Sequence, residues 1–485
     1  MITLKVVPLF GASTRSKSAV VTVQRRLNCY FEQRKDGDKT KIACYGTPGL
    51  SPAFQLSTPV GLPVRGWLGT QSSLYVVTYN QFQSVSASGS ALFTASLTGS
   101  SAGNVSIAIN AGFTQVLVAD GVSGYIYTPA SSTFTTIGAS FPNGARTLTF
   151  VSNFFVAEQP GTQNFWVSNA NDGSTWNSLA FAAASQYSDG IVAVDNLSGN
   201  LIAFCQLHTE YWAPTGATPV PFAPITSATN EYGLAAVFSR GRVNQTIIFL
   251  AQNREGQVQF VQLNGFNAQV ISDADIENII NSFSTVSDAV CMVYGTDTHK
   301  FYQCTFPNAN RSFLYDTATN LWSEVQTGPS VTPTRHWGNL STYYAGQTLI
   351  SDYATNQVYT MSANQYTDNG QTIIREVSTR HILSSFNRVR IPMLYLDMET
   401  GVGLQTGQGS NPQIMLQYSK DNGRTWSAER WVSLGGVGQY LTRAIWRRFG
   451  STRDATWKIR MSDPVKFVIT EGAIKLRQKV TRAAA

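Results

Sequence analysis

The sequence predicts an all-β protein: a β-propeller of six or seven blades followed by a C-terminal β-sandwich-like domain. Three observations point there. Short apolar runs with period-2 alternation recur through residues 73–362, each bounded by Asp, Asn, Gly or Ser turns. Their starts fall about 35–55 residues apart, close to the period of propeller blades. After residue 370 the repeat stops, the composition turns basic, and longer strands take over.

The clearest unit is 313–325, FLYDTATNLWSEV. Phe313 and Tyr315 run into a polar turn, and Leu321, Trp322 and Val325 return from it. That pattern is a β-hairpin whose aromatics pack on a neighbouring sheet. Looser copies lie at 73–86, 114–137, 147–179, 191–214, 246–263, 291–325 and 348–362. Residues 272–283, SDADIENIINSF, break the strand pattern. Ile276, Ile279, Ile280 and Phe283 follow helical spacing, with Ser272 and Asp275 read as a capping box, so a short helix sealing blades is expected.

Domain boundaries follow from these shifts: 1–50 as an N-terminal strand or arm segment, 51–370 as the propeller, and 371–485 as the basic sandwich-like domain. In the last, 377–398, 412–418, 439–448, 456–461 and 466–477 read as antiparallel strands, with the poorly alternating final one at a sheet edge. Ser419, Asp421, Gly423, Thr425 and Trp426 form a complete Asp-box, S-x-D-x-G-x-T-W. The carboxylate holds the turn backbone, the glycine takes positive φ and the tryptophan packs beneath. Asn169, Asn171, Gly173, Thr175 and Trp176 are a degenerate copy. Both are hairpin locks without a catalytic group.

Charge is scarce and unevenly placed. Lys and Arg exceed Asp and Glu by 9 to 3 in residues 1–50 and by 18 to 8 in 371–485, whereas 51–370 holds 8 against 17. Basic ends that dock on acidic neighbours are expected, together with an acidic wall along which a polyanion slides without sticking. Five scattered cysteines without C-x-x-C spacing indicate neither a disulfide framework nor a zinc site. No apolar run approaches the roughly 20 residues of a membrane span, and no secretory leader is visible.

Catalytic patterns are missing. The stretch 11–18, GASTRSKS, has Ser16 where a phosphate-binding loop needs glycine before its lysine. The four histidines, His208, His299, His336 and His381, have no metal spacing, and no G-x-S-x-G elbow occurs. Asp273, Asp275 and Glu277 cluster where acids favour a helix start. Glu210, Tyr211 and Trp212 have the composition of a sugar platform, and equally that of a blade strand. No catalytic residue, cofactor or metal ligand is assigned.

A family resemblance rests on ordered pieces. Asn28-x-Tyr30-x-Glu32 followed by Gly46-Thr47-Pro48-Gly49-Leu50 resembles the opening of the packaged-DNA stabilisation proteins, the tail-hub or nozzle subunits of short-tailed bacteriophages. Phe31 stands where that family often has proline. Asp189-Gly190-Ile191 with 209–216, the stretch 272–283, the Ser419 hairpin and Trp446-Arg447-Arg448 are similar in the same order. The resemblance implies a non-enzymatic virion protein made in the host bacterial cytoplasm. It would form a homo-hexameric ring on the tail adaptor ring under the portal and carry tailspike, tail-fibre and needle or plug proteins. Packaged double-stranded DNA would pass through without sequence-specific binding. Arg25, Arg26, Arg388, Arg390, Arg447 and Arg448 are the expected subunit or adaptor contacts. The competing reading is a carbohydrate-binding, sialidase-like or depolymerase propeller.

Overall fold

A computed structural model describes residues 2–7, 18, 22–33, 42–57, 61–296, 298–330, 332–381 and 388–478. The lookalike loop at 11–18, apart from Ser18, and the charged stretch 34–41 lie outside these residues.

Seven antiparallel sheets follow one another around a ring. Blades 1 to 6 are built from residues 64–96, 106–136, 148–183, 191–224, 233–270 and 290–325. Blade 7 takes three strands from 338–362 and its fourth, Gly49–Gln55, from near the other end of the chain. That strand pairs antiparallel with Gln357–Ser362. Inner strands touch from blade to blade, and Gly338–Tyr344 returns to Val64–Gly69. Closing the circle between chain-distant strands leaves no open seam through which blades could separate.

Alternation along each strand explains why the ring holds. Side chains of one strand point to two neighbouring blades, so each blade interface has its own apolar cluster. In blade 6, Phe313, Tyr315 and Trp322 pack with Phe260 of blade 5, whereas Leu314 and Val325 face Ile350 and Tyr359 of blade 7. Trp322 is 1% exposed, and its indole nitrogen donates to the Ile271 carbonyl at 2.8 Å. The helix Ala274–Ile280 closes the same interface with Ile276 and Ile280. Its N-cap is Asp273, which accepts from the Ile276 amide at 2.8 Å; Ser272 instead donates to Glu277. The cap therefore lies one residue later than expected, and with Ile276 at the third helical position it is a single N-cap rather than a capping box.

The second unit is a two-sheet sandwich. One sheet runs Cys29–Gln33, Ile42–Gly46, Val468–Gln478, Val389–Met398, Ala444–Thr452, with Ile2–Val7 also on Val468–Gln478. The facing strands are Arg375–Ser378, Thr456–Met461, Gln413–Ser419 and Arg430–Ser433. Leu394, Leu396, Ile414, Trp446, Trp457 and Ile459 fill the space between. The final strand is central rather than at an edge: it pairs with Val389–Met398 on one flank and with strands from the first 46 residues on the other. Its alternation is poor because both flanks are occupied and its start is buried.

One two-residue strand, Arg26–Leu27, joins the two units. It lies parallel to Leu321–Val325 of blade 6 and antiparallel to Arg375–Ser378 of the sandwich, so a single nine-stranded sheet crosses from one to the other. Asn28, at φ +53°, donates to the carbonyls of Gln326 and Ile374 and accepts from the Gln326 amide. An αL asparagine in the Asn-x-Tyr-x-Glu element thus clips the junction on both sides.

Candidate functional site

Buried charge marks the junction. Arg25 meets Glu324 at 2.8 Å and Glu376 at 3.8 Å; Arg311 meets Glu324 at 3.1 Å, and Arg460 also meets Glu376. The result is an alternating row, Arg311, Glu324, Arg25, Glu376, Arg460, each carboxylate shared by two guanidinium groups. Arg26 is 1% exposed with its guanidinium 4.1 Å from the Phe31 ring, and burial lowers its pKa to about 9. The expected role of Arg25 and Arg26 as subunit contacts is corrected here. Both side chains are buried within the chain: Arg25 bridges carboxylates of its two units, and Arg26 packs on Phe31 of the sandwich core.

The acidic wall is also corrected. Asp120, Glu158, Asp189, Glu210, Asp316, Glu324, Asp352 and Asp368 are buried. Among the described acids of residues 51–370, only Glu231 and Glu255 are exposed. Many of the buried acids hold turns. Asp120 accepts from the amides of Val122, Ser123 and Ser100, and Asp352 from those of Ala354 and Thr355. Glu158 accepts from the amides of Arg146 and Thr147, and burial pushes its pKa to about 7. With Arg242, Arg254 and Lys300 as the exposed cations of the same stretch, the propeller's described surface is nearly uncharged.

The sandwich contrasts with this. It exposes Arg380, Arg388, Arg390, Lys420, Arg424, Arg443, Arg447, Arg448, Arg453 and Arg477 against Glu429 and Glu471 among the described residues. Four cations share one outer face. Arg390 stands directly opposite Arg477, and Met393 stands between Lys475 and Arg447 in adjacent strands. Arg448 sits beside them in a bulge at φ +66°, and Arg388 flanks the strand. None of these six forms an ion pair among the described residues. Like charges facing each other across a ladder repel, so the face is suited to an external anion. At its other end Arg443 pairs with Asp397 at 2.8 Å, and a glycine-rich loop lifts Tyr440 and a fully exposed Leu441 into solvent. These apolar residues carry no motif, and sequence reasoning missed them.

The remaining candidates are structural in geometry. In the Asp-box, Ser419 donates to Asp421, whose carboxylate accepts from the Thr425 amide at 2.9 Å and from its hydroxyl. Those donors hold the Asp421 carboxyl down to about 2. Gly423 is at φ +80°, and Trp426 lies half-buried 4.2 Å beneath the Lys458 ammonium. In the degenerate copy Asp172, not Asn171, accepts the turn's hydrogen bonds, and Trp176 is buried. Glu210, Tyr211 and Trp212 are at most 5% exposed on the third strand of blade 4, which removes the sugar platform. His208 lies between Asp189 at 2.7 Å and Glu210 at 3.0 Å, closed off from solvent. His299 pairs with Asp316 and His381 with Asp454. His336 is buried, which lowers its pKa to about 4. Among the described residues no group of three His, Cys, Asp or Glu is placed to hold a metal ion, and no helix is long and apolar enough to cross a membrane.

Comparison with known proteins gives two consecutive family matches. The family model "Bacteriophage P22 Gp10, beta-propeller" matches residues 44–366, and "Bacteriophage P22 Gp10, beta-sandwich" matches 374–477. No curated protein matches. Among solved structures, the β-propeller domain of Myceliophteria thermophila Cps50 (Swd1) is similar at 8% identity and a TM-score of 0.41, covering 64% of this chain and 100% of that one. A likeness that weak carries no argument.

Proposed function

The chain belongs to the bacteriophage P22 Gp10 family of phage tail structural proteins, and on that premise we propose that it is the subunit of a hexameric nozzle below the portal and its adaptor ring. In this reading the ring extends the DNA channel, retains the packaged genome until ejection, and anchors needle and tailspike or tail-fibre proteins. The protein acts in the virion by shape and charge rather than by catalysis. The observation that carries the reading is the contrast between a propeller surface with few exposed charges and an unpaired cationic face on the outer sheet of the sandwich. An uncharged polar surface lets a polyanion pass with little adhesion, since phosphate contacts dominate nucleic-acid affinity. Arg388, Arg390, Arg447 and Arg448 are the docking groups. Their partner lies outside this chain's propeller, which exposes too few acids to neutralise them.

Phage particles lacking this subunit provide the test. Purified protein should bind them, form a ring visible by electron microscopy, and restore DNA retention. A protein that stays monomeric beside such particles and leaves them leaking DNA would overturn the reading.

A further inference from the structure

Arg375 is a buried charge that the assembly reading does not use. It begins the strand Arg375–Ser378, is 1% exposed, and its Nε and Nη1 have no hydrogen-bond acceptor in the described chain. Its nearest ring is Tyr366, whose centroid lies 6.0 Å from the guanidinium carbon. Asp368 attracts it, but the oxygens of that carboxylate accept from the Leu50 amide at 3.1 Å and the Thr327 hydroxyl at 2.9 Å. Burial lowers the Arg375 pKa from its ordinary value. The contrast with Arg25, which meets two carboxylates, is direct. Buried guanidinium nitrogens without an acceptor are costly, and native proteins supply a partner for such groups.

The surroundings are built for this side chain. A Cβ on Gly46 would fall 2.2 Å from the Arg375 Nε, so only glycine lets the guanidinium lie against that strand. Arg375 also lines a cavity of about 280 Å³ between the two units. Thr296 and Thr298 from blade 6, Asn364, Tyr366 and Lys466 contribute further polar groups to its wall. Among the described lining residues Glu32 is the one carboxylate, and the Lys466 ammonium is 2.9 Å from Glu399. Hydroxyl, amide and cationic donors therefore surround the space. Such a set matches an ion with several acceptor oxygens.

We propose that this cavity binds a small oxyanion of the phosphate or sulfate type, anchored by Arg375 with Lys466 as the second cation. Groups from both units reach the bound ion, so it fastens the propeller to the sandwich at a point away from the Arg25 row. The volume suits a free ion and excludes a duplex.

The test uses the full chain, melted in phosphate, sulfate or chloride at matched ionic strength, with calorimetric titration of inorganic phosphate alongside. A saturable rise in Tm with phosphate or sulfate is expected, together with a measurable binding isotherm. Arg375→Met should abolish both. Lys466→Met, at a half-exposed position, should fold normally and weaken binding at least tenfold. Wild-type protein that shows neither a heat of binding nor a saturable shift overturns the proposal. So does an unchanged affinity in Lys466→Met, or an equal shift in Arg375→Met.

Discussion

The propeller and the sandwich solve opposite problems with the same strand material. The propeller divides its apolar residues among seven blade interfaces and buries half of its described carboxylates, several of which hold turns. The sandwich gathers its apolar residues into one core and leaves its arginines outside. Formal charge therefore misrepresents the acidic unit, which has few exposed charges, whereas the basic unit carries its excess of cations at its surface. In the proposed function, rigidity falls to the first unit and attachment to the second.

The largest way to break this division is at the junction. Arg25→Ala leaves Glu324 and Glu376 short of a buried cation, which costs about 3–5 kcal/mol. Denaturant unfolding should then separate into two transitions, propeller and sandwich, where the wild type gives one. A single unchanged transition would show that the charge row does not couple the units. Trp322→Ala tests the propeller alone. Removing a side chain that fills the blade 5–6 interface should lower stability by about 3–5 kcal/mol, with the sandwich signal unaffected.

The cationic face gives the reverse result. Replacing Arg390 and Arg447 by glutamate removes no internal partner, so stability should change by no more than about 0.5 kcal/mol per site. Loss of virion attachment with an unaltered melting curve is expected, and a fall in Tm of many degrees would reassign these residues to folding.

Titration sharpens the contrast further. The Glu158 carboxyl, raised to about 7 from 4.5, favours the folded state when protonated. Its contribution is full below about pH 4.5 and is lost as pH rises through about 7. His336, lowered to about 4 from 6.5, acts oppositely, adding stability as pH rises from about 4 to about 6.5. The Tm of Glu158→Gln, followed from pH 4.5 to 8, should fall less steeply than that of wild type. Parallel curves would place the pH dependence elsewhere. A local effect is expected of Asp273→Ala, which removes one helix cap and should cost about 1 kcal/mol, measured by denaturant midpoint.

How much of this was legible varies with distance along the chain. Blades made of consecutive hairpins appear in the sequence because their partners are neighbours, as in 313–325. Blade 7 does not: Gly49–Gln55 straddles the expected boundary at residue 50, carries Pro52 in a shifted register, and has its partner some 300 residues away. The strands at 26–46 looked like a separate arm for the same reason, since their pairing to Val468–Gln478 and Arg375–Ser378 is invisible locally. Arg25 and Arg26 looked like surface charge because sequence gives the sign of a side chain and not its burial. The Asp-box could be read in full because its spacing alone defines the turn. Arg375 had no signal at all; only Gly46 beneath it hints at a close approach.

The most direct measurement is complementation of DNA-leaking particles that lack this subunit, comparing wild type with the Arg390→Glu/Arg447→Glu protein. The wild type should attach and restore genome retention, and the variant should melt normally yet neither attach nor retain DNA. Equal rescue by both proteins would contradict the assignment of attachment to the sandwich face.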